Sequence, residues 1–355
     1  MKPACGQSER IMSTMLKEIL EAPDVVREVI RVNKGVLLSI SKEFKERGIT
    51  NITTVARGTS DNAATYFKYI AEAVGGFMVS KFAPSVATIY DTGVNLKNNM
   101  VLAISQSGMS TDTLTVVEKA KRTGALIVCM TNNANSPLAK LSDYHINLSA
   151  GEEVSVPATK TFTAQLSALY LLANKLSDSS AKMNLLEIPH ILEDFIKNNS
   201  GDLRAFAKRV NSIQNFVVLS RGIMLPIATE FSLKIMETCY RFNRPFSTTD
   251  FVHGPISLVE EGFPVIMLAP GSEFSQEYIN MATRLNLLGA NIIAFTDIKE
   301  VEEIATQAFT MQPMRGMETP FVYTLAIQLF TYYFAESLGI NPDKPRSLNK
   351  VTITV

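Results

Sequence analysis

The hydrophobic positions of this chain change their period along its length, and the change predicts an α/β fold. Over about the first 45 residues, Met15, Ile19, Val26, Ile30 and Leu37 recur at roughly helical spacing among charged residues. From residue 51 onward, short apolar runs of strand length alternate with helical stretches. Strands that alternate with helices imply parallel sheets with helices on both faces.

The apolar runs define the strands of a first sheet. Strands are predicted at residues 51–56, 77–80, 100–105, 125–130 and 144–148. Helices are predicted over residues 63–74, 111–122 and 161–176. Because open parallel sheets bind ligands at the carboxyl ends of their strands, the turns that follow these strands are the places to look for a site.

The second half of the chain repeats the first. Arg57-Gly58 and the residues after it align with Arg221-Gly222 at a shift of 164 residues, and the strand at 101–104 repeats at 265–268 with the same shift. A register held across separate elements indicates a duplicated domain. We therefore predict a helical segment over residues 1–45, tandem α/β domains over 46–200 and 201–340 with a linker at 197–202, and a C-terminal tail over 341–355.

Composition narrows the classes of function. Lys and Arg together number 34, as do Asp and Glu, so no bulk charge favours nucleic acid or an anionic membrane. The apolar runs are far shorter than a membrane span, and the N-terminus lacks the apolar core of a signal peptide. Cys5, Cys129 and Cys239 match neither a disulfide framework nor a zinc site. We therefore expect a cytoplasmic protein that binds a small molecule and uses no metal or other cofactor.

The turn after the third predicted strand is rich in hydroxyl groups. Residues 105–113 read Ser-Gln-Ser-Gly-Met-Ser-Thr-Asp-Thr and lead into a predicted helix. Unpaired N–H groups and the dipole at a helix N-terminus favour an anion, and hydroxyls can complete the hydrogen bonds of a phosphate. The alternative is that Ser110 or Thr111 only caps the helix. The corresponding turn of the second half, residues 269–273, has lost most hydroxyls, so we expect phosphate in the first half only.

Further positions carry candidate acid, base or cationic chemistry. Glu230, Lys234 and Glu237 are spaced to share one helix face, where the alternative is an ordinary solvated stripe. His253 lies in a predicted loop, and a neutral imidazole can both take and give a proton near neutral pH. Lys350 lies in an unusually apolar C-terminal stretch, whereas terminal lysines are commonly solvated. On the residues alone, these alternatives stay open.

Six motifs stand in an order that resembles a known family. They are residues 57–60 (Arg-Gly-Thr-Ser), 105–108 (Ser-Gln-Ser-Gly), 156–163 (Val-Pro-Ala-Thr-Lys-Thr-Phe-Thr), 230–237, 252–255 (Val-His-Gly-Pro) and 345–350 (Pro-Arg-Ser-Leu-Asn-Lys). Together they resemble the sugar isomerase (SIS) family, and within it the isomerase half of glucosamine-6-phosphate synthase and the stand-alone SIS-type glucosamine-6-phosphate deaminases. The resemblance implies two tandem SIS domains, each a flavodoxin-like three-layer sandwich of a parallel sheet between helices.

The resemblance also implies roles for particular residues. Glu237 would move a proton between C1 and C2 of a sugar, and Lys350 would meet the open-chain carbonyl or its oxyanion. His253 would open the sugar ring and would reach across from a partner subunit, which implies a homodimer with a shared active site. The positions implied for binding the sugar phosphate are Gly58, Thr59, Ser60, Ser105, Gln106, Ser107, Ser110, Val156, Ala158 and Asn349.

The implied reaction converts glucosamine 6-phosphate to fructose 6-phosphate and ammonia. The alternatives are a fructosamine-6-phosphate deglycase, a galactosamine-6-phosphate deaminase/isomerase, and a sugar-phosphate sensor without turnover. The glutaminase half of the synthase is not found in this sequence, so we expect no synthesis from glutamine by the chain as given. Arg57, Met109 and Ala158 depart from the family pattern, which has cysteine, glutamate and serine there. These departures bear on the choice of substrate more than on the class of reaction.

Overall fold

The computed structural model describes residues 12–177, 185–314 and 316–350 of the chain. Cys5 and the apolar C-terminal residues 351–355, on which two of the expectations above depend, lie outside these ranges. The described chain begins with the predicted helical segment, which forms α1 (Thr14–Leu20), α2 (Ala22–Val32) and α3 (Lys34–Glu46).

Each half of the chain then forms one parallel sheet with its helices. The first half contains β1 (Asn51–Val55), α4 (Thr59–Gly75), β2 (Met78–Lys81), α5 (Pro84–Thr88), β3 (Asn99–Ile104), α6 (Thr111–Arg122), β4 (Leu126–Thr131), α7 (Pro137–Leu141), β5 (Tyr144–Asn147) and α8 (Lys160–Leu176). Helix α9 (Ile188–Arg209) leads into the second half, which contains β6 (Phe216–Ser220), α10 (Leu225–Cys239), β7 (Asn243–Ser247), α11 (Thr248–Val252), β8 (Pro264–Ala269), α12 (Ser275–Leu287), β9 (Asn291–Thr296), α13 (Lys299–Ile304), β10 (Gln307–Thr310) and α14 (Thr319–Ser337). The predicted strands of the first half match β1 to β5 to within one residue at each end.

The two sheets have the same strand order. The first runs β2-β1-β3-β4-β5 and the second β7-β6-β8-β9-β10, and all neighbouring strands are parallel. In the first sheet, Thr53 of β1 lies between Ser80 of β2 and Val101 of β3. This is the flavodoxin-like order, in which the first strand separates the second from the third. The predicted fold class of two tandem α/β units is confirmed.

The central strands read as continuous apolar runs because both of their faces are buried. In β3, Met100 and Leu102 belong to the core that includes α4 and α8, whereas Val101 and Ala103 belong to a separate core under α6. Successive side chains of a strand point to opposite faces, so each sheet requires a helical layer on each side.

One hydrophobic core joins the two halves. It runs from the inner face of the first sheet through α8, α9 and α14 to the inner face of the second sheet. Nearly every residue of α14 is buried, so this helix packs on neighbours all round. Phe206, Phe231, Phe295 and Phe330 link α9, α10, β9 and α14 through ring contacts with centroids 5.2–6.3 Å apart.

The predicted linker at residues 197–202 is helical and not a loop. These residues lie inside α9, whose buried side chains Leu192, Phe195, Leu203 and Phe206 occur on both sides of them at helical spacing. The stretch itself is exposed or half-buried, which explains its polar, loop-like composition. The other domain boundaries stay predictions.

Within the described ranges, no helix combines the length and the apolar character that a membrane crossing requires. Cys129 and Cys239 are buried free thiols. The cytoplasmic location stays a prediction.

Replacing Gly201 with alanine tests the helix that replaces the predicted linker. Gly201 is exposed within α9, and a Cβ added there meets nothing within 4 Å. Because glycine costs a helix about 0.5–1 kcal/mol relative to alanine, Gly201→Ala should raise the free energy of unfolding in urea by about that amount. The control Gly58→Ala should lower it, because Gly58 has a φ of +56°. Unchanged stability in Gly201→Ala would contradict a continuous α9.

Candidate active site

A cavity of about 650 Å³ opens at the carboxyl ends of β1 and β3. The strand order of the first sheet changes direction between these strands, which is where open parallel sheets bind ligands. The first half, helix α10 of the second half and the C-terminal tail all contribute to this one cavity. Its described lining residues are Arg57, Gly58, Thr59, Ser60, Ile104, Ser105, Gln106, Ser107, Ser110, Asp112, Thr113, Val156, Ala158, Lys234, Glu237, Leu348, Asn349 and Lys350.

The hydroxyl-rich turn forms one wall. Ser110 is the N-cap residue of α6, yet its hydroxyl makes no capping hydrogen bond and instead accepts one from Thr113 Oγ1 at 3.1 Å. The hydroxyls of Ser105 and Ser107 each accept a backbone N–H from within the turn, at 3.1 and 3.3 Å. Each of these three hydroxyls therefore keeps its own proton to donate to an anion. Gly108 has a φ of +66°, so the turn depends on a glycine there.

The turn after β1 links the first half to the second. Thr59 Oγ1 donates to Glu230 Oε1 at 3.0 Å, and Asn62 Nδ2 donates to Glu230 Oε2 at 2.7 Å. The hydroxyl of Ser60 accepts a hydrogen bond from a glutamine of α8 at 2.9 Å. Thr59 therefore joins the cavity wall of the first half to a carboxylate of α10.

Helix α10 buries an ion cluster of Glu230, Lys234 and Glu237. The three share one helix face as predicted, but their side chains are only 0%, 1% and 21% exposed. Lys234 Nζ contacts Glu237 Oε2 and lies 3.6 Å from Glu230 Oε1. The solvated-stripe alternative is therefore wrong. Glu237 is the most exposed member and lines the cavity.

This cluster has two carboxylates and one ammonium group. Burial raises the pKa of Glu230 to about 7, although Lys234, Asn62 and Thr59 favour its anion. Burial opposes the charge on Lys234, but Glu237 and Glu230 together outweigh it, so the pKa of Lys234 is raised. The cluster is electrically neutral when one of the two carboxylates is protonated. Because burial raises the pKa of Glu230, we assign the proton to Glu230.

Lys350 is held at the cavity by a buried carboxylate. Its Nζ donates to Glu153 Oε2 and to the carbonyl oxygen of Ser155, both at 2.7 Å. The Glu153 side chain is fully buried, and it also accepts the N–H groups of Thr159 and Thr161 at the start of α8, at 2.9 and 3.1 Å. The tail therefore brings Lys350 to the cavity, as expected, and its chemical role stays a prediction.

The structure brings together all but one of the residues that the resemblance assigns to the site. The exception is His253. The predicted residues that line the cavity are Gly58, Thr59, Ser60, Ser105, Gln106, Ser107, Ser110, Val156, Ala158, Glu237, Asn349 and Lys350. Their shared position is an observation, and their individual roles stay predictions.

His253 does not line the cavity of its own chain. It follows α11 and is exposed. Beside it is a mainly apolar groove of about 600 Å³, whose walls include Phe242 and Leu258 at 71% and 54% exposure. This position agrees with the expectation that His253 serves a partner subunit, which stays a prediction.

Several charged contacts of the site do not follow from the sequence reasoning. Arg57 Nη2 donates to Asp112 Oδ2 at 2.6 Å, and both residues line the cavity. The sequence marks Arg57 only as a departure from the family pattern, and its recurrence as Arg221 is the signal that the position matters. The burial of Glu230 could be inferred from α10, which is apolar on most of its faces. No local pattern marks Glu153.

The corresponding turns of the second half contain an aromatic ring and a carboxylate that disfavour phosphate binding. The ring of Phe274 lies 2.7 Å from the position of a Cβ on Gly222. Asp297 Oδ1 accepts the N–H of Gly271 at 2.6 Å, so a carboxylate already holds a backbone donor of this turn. These contacts agree with the expectation of one phosphate site in the first half.

A family model for the SIS domain matches residues 47–175 and 211–336. The chain belongs to the SIS family. This SIS chain is 30% identical to an isomerizing glutamine–fructose-6-phosphate aminotransferase of Thermococcus kodakarensis, over 96% of its own length and 58% of the relative's. It thus spans little more than half the length of the curated relatives that it matches.

Two solved structures share the fold of this SIS chain. The C-terminal domain of glucosamine-fructose-6-phosphate aminotransferase from Francisella tularensis has a TM-score of 0.82 and 27% identity, over 96% of this chain and 100% of that one. Glucosamine-6-phosphate deaminase from Thermotoga maritima has a TM-score of 0.75 and 23% identity, over 96% and 100% of the two chains. The second likeness concerns the fold alone. The SIS resemblance inferred from the six motifs is confirmed.

Replacing Glu230 with glutamine should make folding stability less dependent on pH. The raised pKa means that the folded state keeps a proton which the unfolded state releases. The free energy of unfolding therefore falls as the pH rises from 4.5, the ordinary pKa, to about 7, the pKa in the folded protein. Glutamine mimics the protonated form and removes this loss, which is about 3 kcal/mol at most. Urea unfolding at about pH 5 and about pH 8 measures the difference between the two proteins.

The control for this measurement is Glu303→Gln, an exposed carboxylate of α13. It should follow the wild-type pH dependence. If Glu230→Gln lost as much stability as wild type between about pH 5 and about pH 8, Glu230 could not be the group that holds the buried proton.

Proposed function

We propose that this chain is an aminosugar-phosphate isomerase that converts glucosamine 6-phosphate to fructose 6-phosphate and ammonia. The observation that carries the proposal is one cavity that gathers a hydroxyl-rich turn, Glu237 and Lys350. An anion site, an acid/base group and a cation are what a protein needs to hold a phosphosugar and move a proton between neighbouring carbons. Membership of the SIS family, with relatives named as isomerizing aminotransferases, supports this choice of substrate class.

The phosphate is proposed to bind at the start of α6. The hydroxyls of Ser105, Ser107 and Ser110 converge there with the N-terminus of the helix, where N–H groups and the helix dipole favour an anion. A cavity of about 650 Å³ accommodates the rest of a hexose, which would extend toward α10 and the tail.

The proposed reaction begins with ring opening. The anomeric hydroxyl loses its proton and the ring oxygen gains one, a transfer that His253 from a second copy would mediate. The open-chain aldehyde then presents C2 to Glu237. Glu237 removes the C2 proton, which gives an enolamine, and returns the proton to C1.

Lys350 is proposed to offset the charge that develops on the C1 oxygen during this transfer. Its ammonium group is oriented by Glu153 and by the carbonyl of Ser155, so it needs no reorganisation at the moment of reaction. The C1 oxygen also takes up a proton, and protonation at C1 gives an iminium group at C2. Loss of one proton from the nitrogen, which balances the one taken up by the oxygen, leaves an imine at C2. Water then adds to the imine carbon and ammonia leaves, which yields fructose 6-phosphate.

Two enzymatic alternatives would use the same groups. A fructosamine-6-phosphate deglycase differs in its leaving group, and a galactosamine-6-phosphate deaminase differs at one epimeric centre. Epimer choice depends on pocket contacts worth about 1–3 kcal/mol. A sensor would bind the sugar phosphate without turnover. The cluster on α10 favours an enzyme, because burying a lysine beside two glutamates is costly and binding alone does not require it.

An ammonia assay tests the proposed reaction. Purified protein incubated with glucosamine 6-phosphate should release ammonia and fructose 6-phosphate in equal amounts. Glu237→Gln removes the acid/base group while keeping its shape, so kcat should fall by roughly a hundredfold or more. The matched control Glu303→Gln, on the exposed face of α13, should keep wild-type kcat.

Parallel assays with galactosamine 6-phosphate and a fructosamine 6-phosphate identify the substrate if the first assay is negative. Tight binding of these sugar phosphates with no turnover of any would favour the sensor. Full activity in Glu237→Gln would remove Glu237 from the mechanism.

We also propose a homodimer in which His253 of each copy completes the cavity of the other. Two features support a second copy as the occupant of the groove beside His253. The histidine is exposed and lies outside the cavity of its own chain. The adjoining groove is mainly apolar, with Phe242 and Leu258 exposed, which is typical of a surface that another protein covers.

A mixing experiment tests the shared site. His253→Ala and Glu237→Gln should each be inactive as homodimers, because every site lacks one group. In a mixed dimer one site carries both substitutions and the other carries neither. Unfolding and refolding an equal mixture should therefore restore roughly a quarter of wild-type activity. No gain over the separate variants, or a monomer in analytical ultracentrifugation, would contradict the shared site.

A further inference from the structure

Arg57 contributes a cation to the cavity wall. It follows β1, and its Nε and Nη2 atoms donate to Asp112 Oδ2 at 3.1 and 2.6 Å. The Asp112 side chain is 5% exposed, whereas that of Arg57 is 52% exposed and lines the cavity. Asp112 thus fixes one edge of the guanidinium group. Among the described residues, the remaining amino group, Nη1, has no hydrogen-bond acceptor.

The position of Asp112 places this guanidinium group at the phosphate end of the cavity. Asp112 belongs to the first turn of α6, two residues after the N-cap Ser110. The other lining cations, Lys234 and Lys350, are paired with Glu237 and with the buried Glu153. Among the described lining residues, Arg57 is the cation that is bonded to a residue of the hydroxyl-rich turn.

The second half of the chain contains a natural comparison. Arg221 occupies the repeat position of Arg57 and pairs with Glu277 of the first turn of α12, Nε to Oε2 at 3.3 Å. Unlike Arg57, it also donates to Ser247 and Thr249 through Nη1, at 3.0 and 2.6 Å. Its guanidinium group further lies over the ring of Phe274, with the ring centroid 5.6 Å away. The Nη1 group of this arginine thus has protein acceptors in one repeat, whereas in the other it has none among the described residues and the arginine lines the candidate cavity.

We propose that Arg57 binds the phosphate of the substrate directly through its free Nη1 edge, with Asp112 as the residue that positions it. This inference rests on the proposed function and deepens it, since it assigns the anion site a charged ligand. A guanidinium group matches the geometry of a phosphate, and its charge-assisted hydrogen bonds are stronger than those of hydroxyls. The site would then select an organic phosphate over a neutral sugar more strongly than the turn alone.

The competing role for Arg57 is a brace between β1 and α6. The recurrence of the arginine–acid pair in the second half fits that role, so the experiment has to separate the two. Arg221→Gln provides the matched control, because it removes the same pair from a position outside the cavity.

The test measures the affinity of the full chain for inorganic phosphate, by calorimetry or phosphorus NMR, together with the melting temperature. Arg57→Gln should weaken phosphate binding by roughly tenfold to a hundredfold. Arg57→Lys keeps the positive charge but lacks the planar guanidinium group, so its phosphate affinity should lie between those of Arg57→Gln and wild type. Arg221→Gln should bind phosphate like wild type. Arg57→Gln should likewise raise KM for glucosamine 6-phosphate while changing kcat little.

Unchanged phosphate affinity in Arg57→Gln, with a lowered melting temperature, would overturn the inference and leave Arg57 as a brace. Ser107→Ala distinguishes this failure from failure of the proposed function. If Ser107→Ala weakens phosphate binding and Arg57→Gln does not, the phosphate site is supported and only the proposed role of Arg57 is contradicted. If the wild-type chain binds no phosphate, both proposals fall.

Discussion

The buried ammonium group of Lys234, between two carboxylates of its own helix, is the interaction on which the candidate active site depends. Removing each of these charges from water costs several kcal/mol, so the cluster persists only where its members neutralise one another and find hydrogen-bond donors. Glu230 finds two of its donors, Thr59 and Asn62, in the other half of the chain. Correct docking of the halves is therefore a condition for the cluster, and the cluster fixes Glu237 at the cavity.

The two copies of the duplicated domain differ at the same turns. Both halves keep the strand order and the left-handed glycine after the first strand, with φ of +56° at Gly58 and +57° at Gly222. In the second copy the ring of Phe274 packs against Gly222, and Asp297 already accepts the N–H of Gly271. The second half contributes α10 as a wall of the first cavity. In the proposed reaction, one repeat would therefore bind the phosphate and the other would supply the acid/base group.

The sequence is informative where structure follows from local pattern. The buried parallel strands are readable because both faces are apolar, and the site residues gather because the carboxyl ends of β1 and β3 lie side by side. Residues 197–202 mislead because the exposed face of α9 has the composition of a loop. The sequence does not indicate the role of Glu153, for a different reason. Its partner Lys350 is 197 residues away, and no local spacing encodes such a contact.

The contact between Glu153 and Lys350 also makes the tail part of the fold. Without Lys350, the fully buried Glu153 would lose its counter-ion while lying near Glu18, a second carboxylate whose pKa burial already raises. Asp343, earlier in the tail, accepts the N–H groups of Thr14 and Met15 at 3.1 and 2.7 Å and so caps α1. The tail is thus fastened at two points to elements of the N-terminal half. Because Lys350 also holds the carbonyl of the loop before α8, the docked tail completes the wall of the cavity.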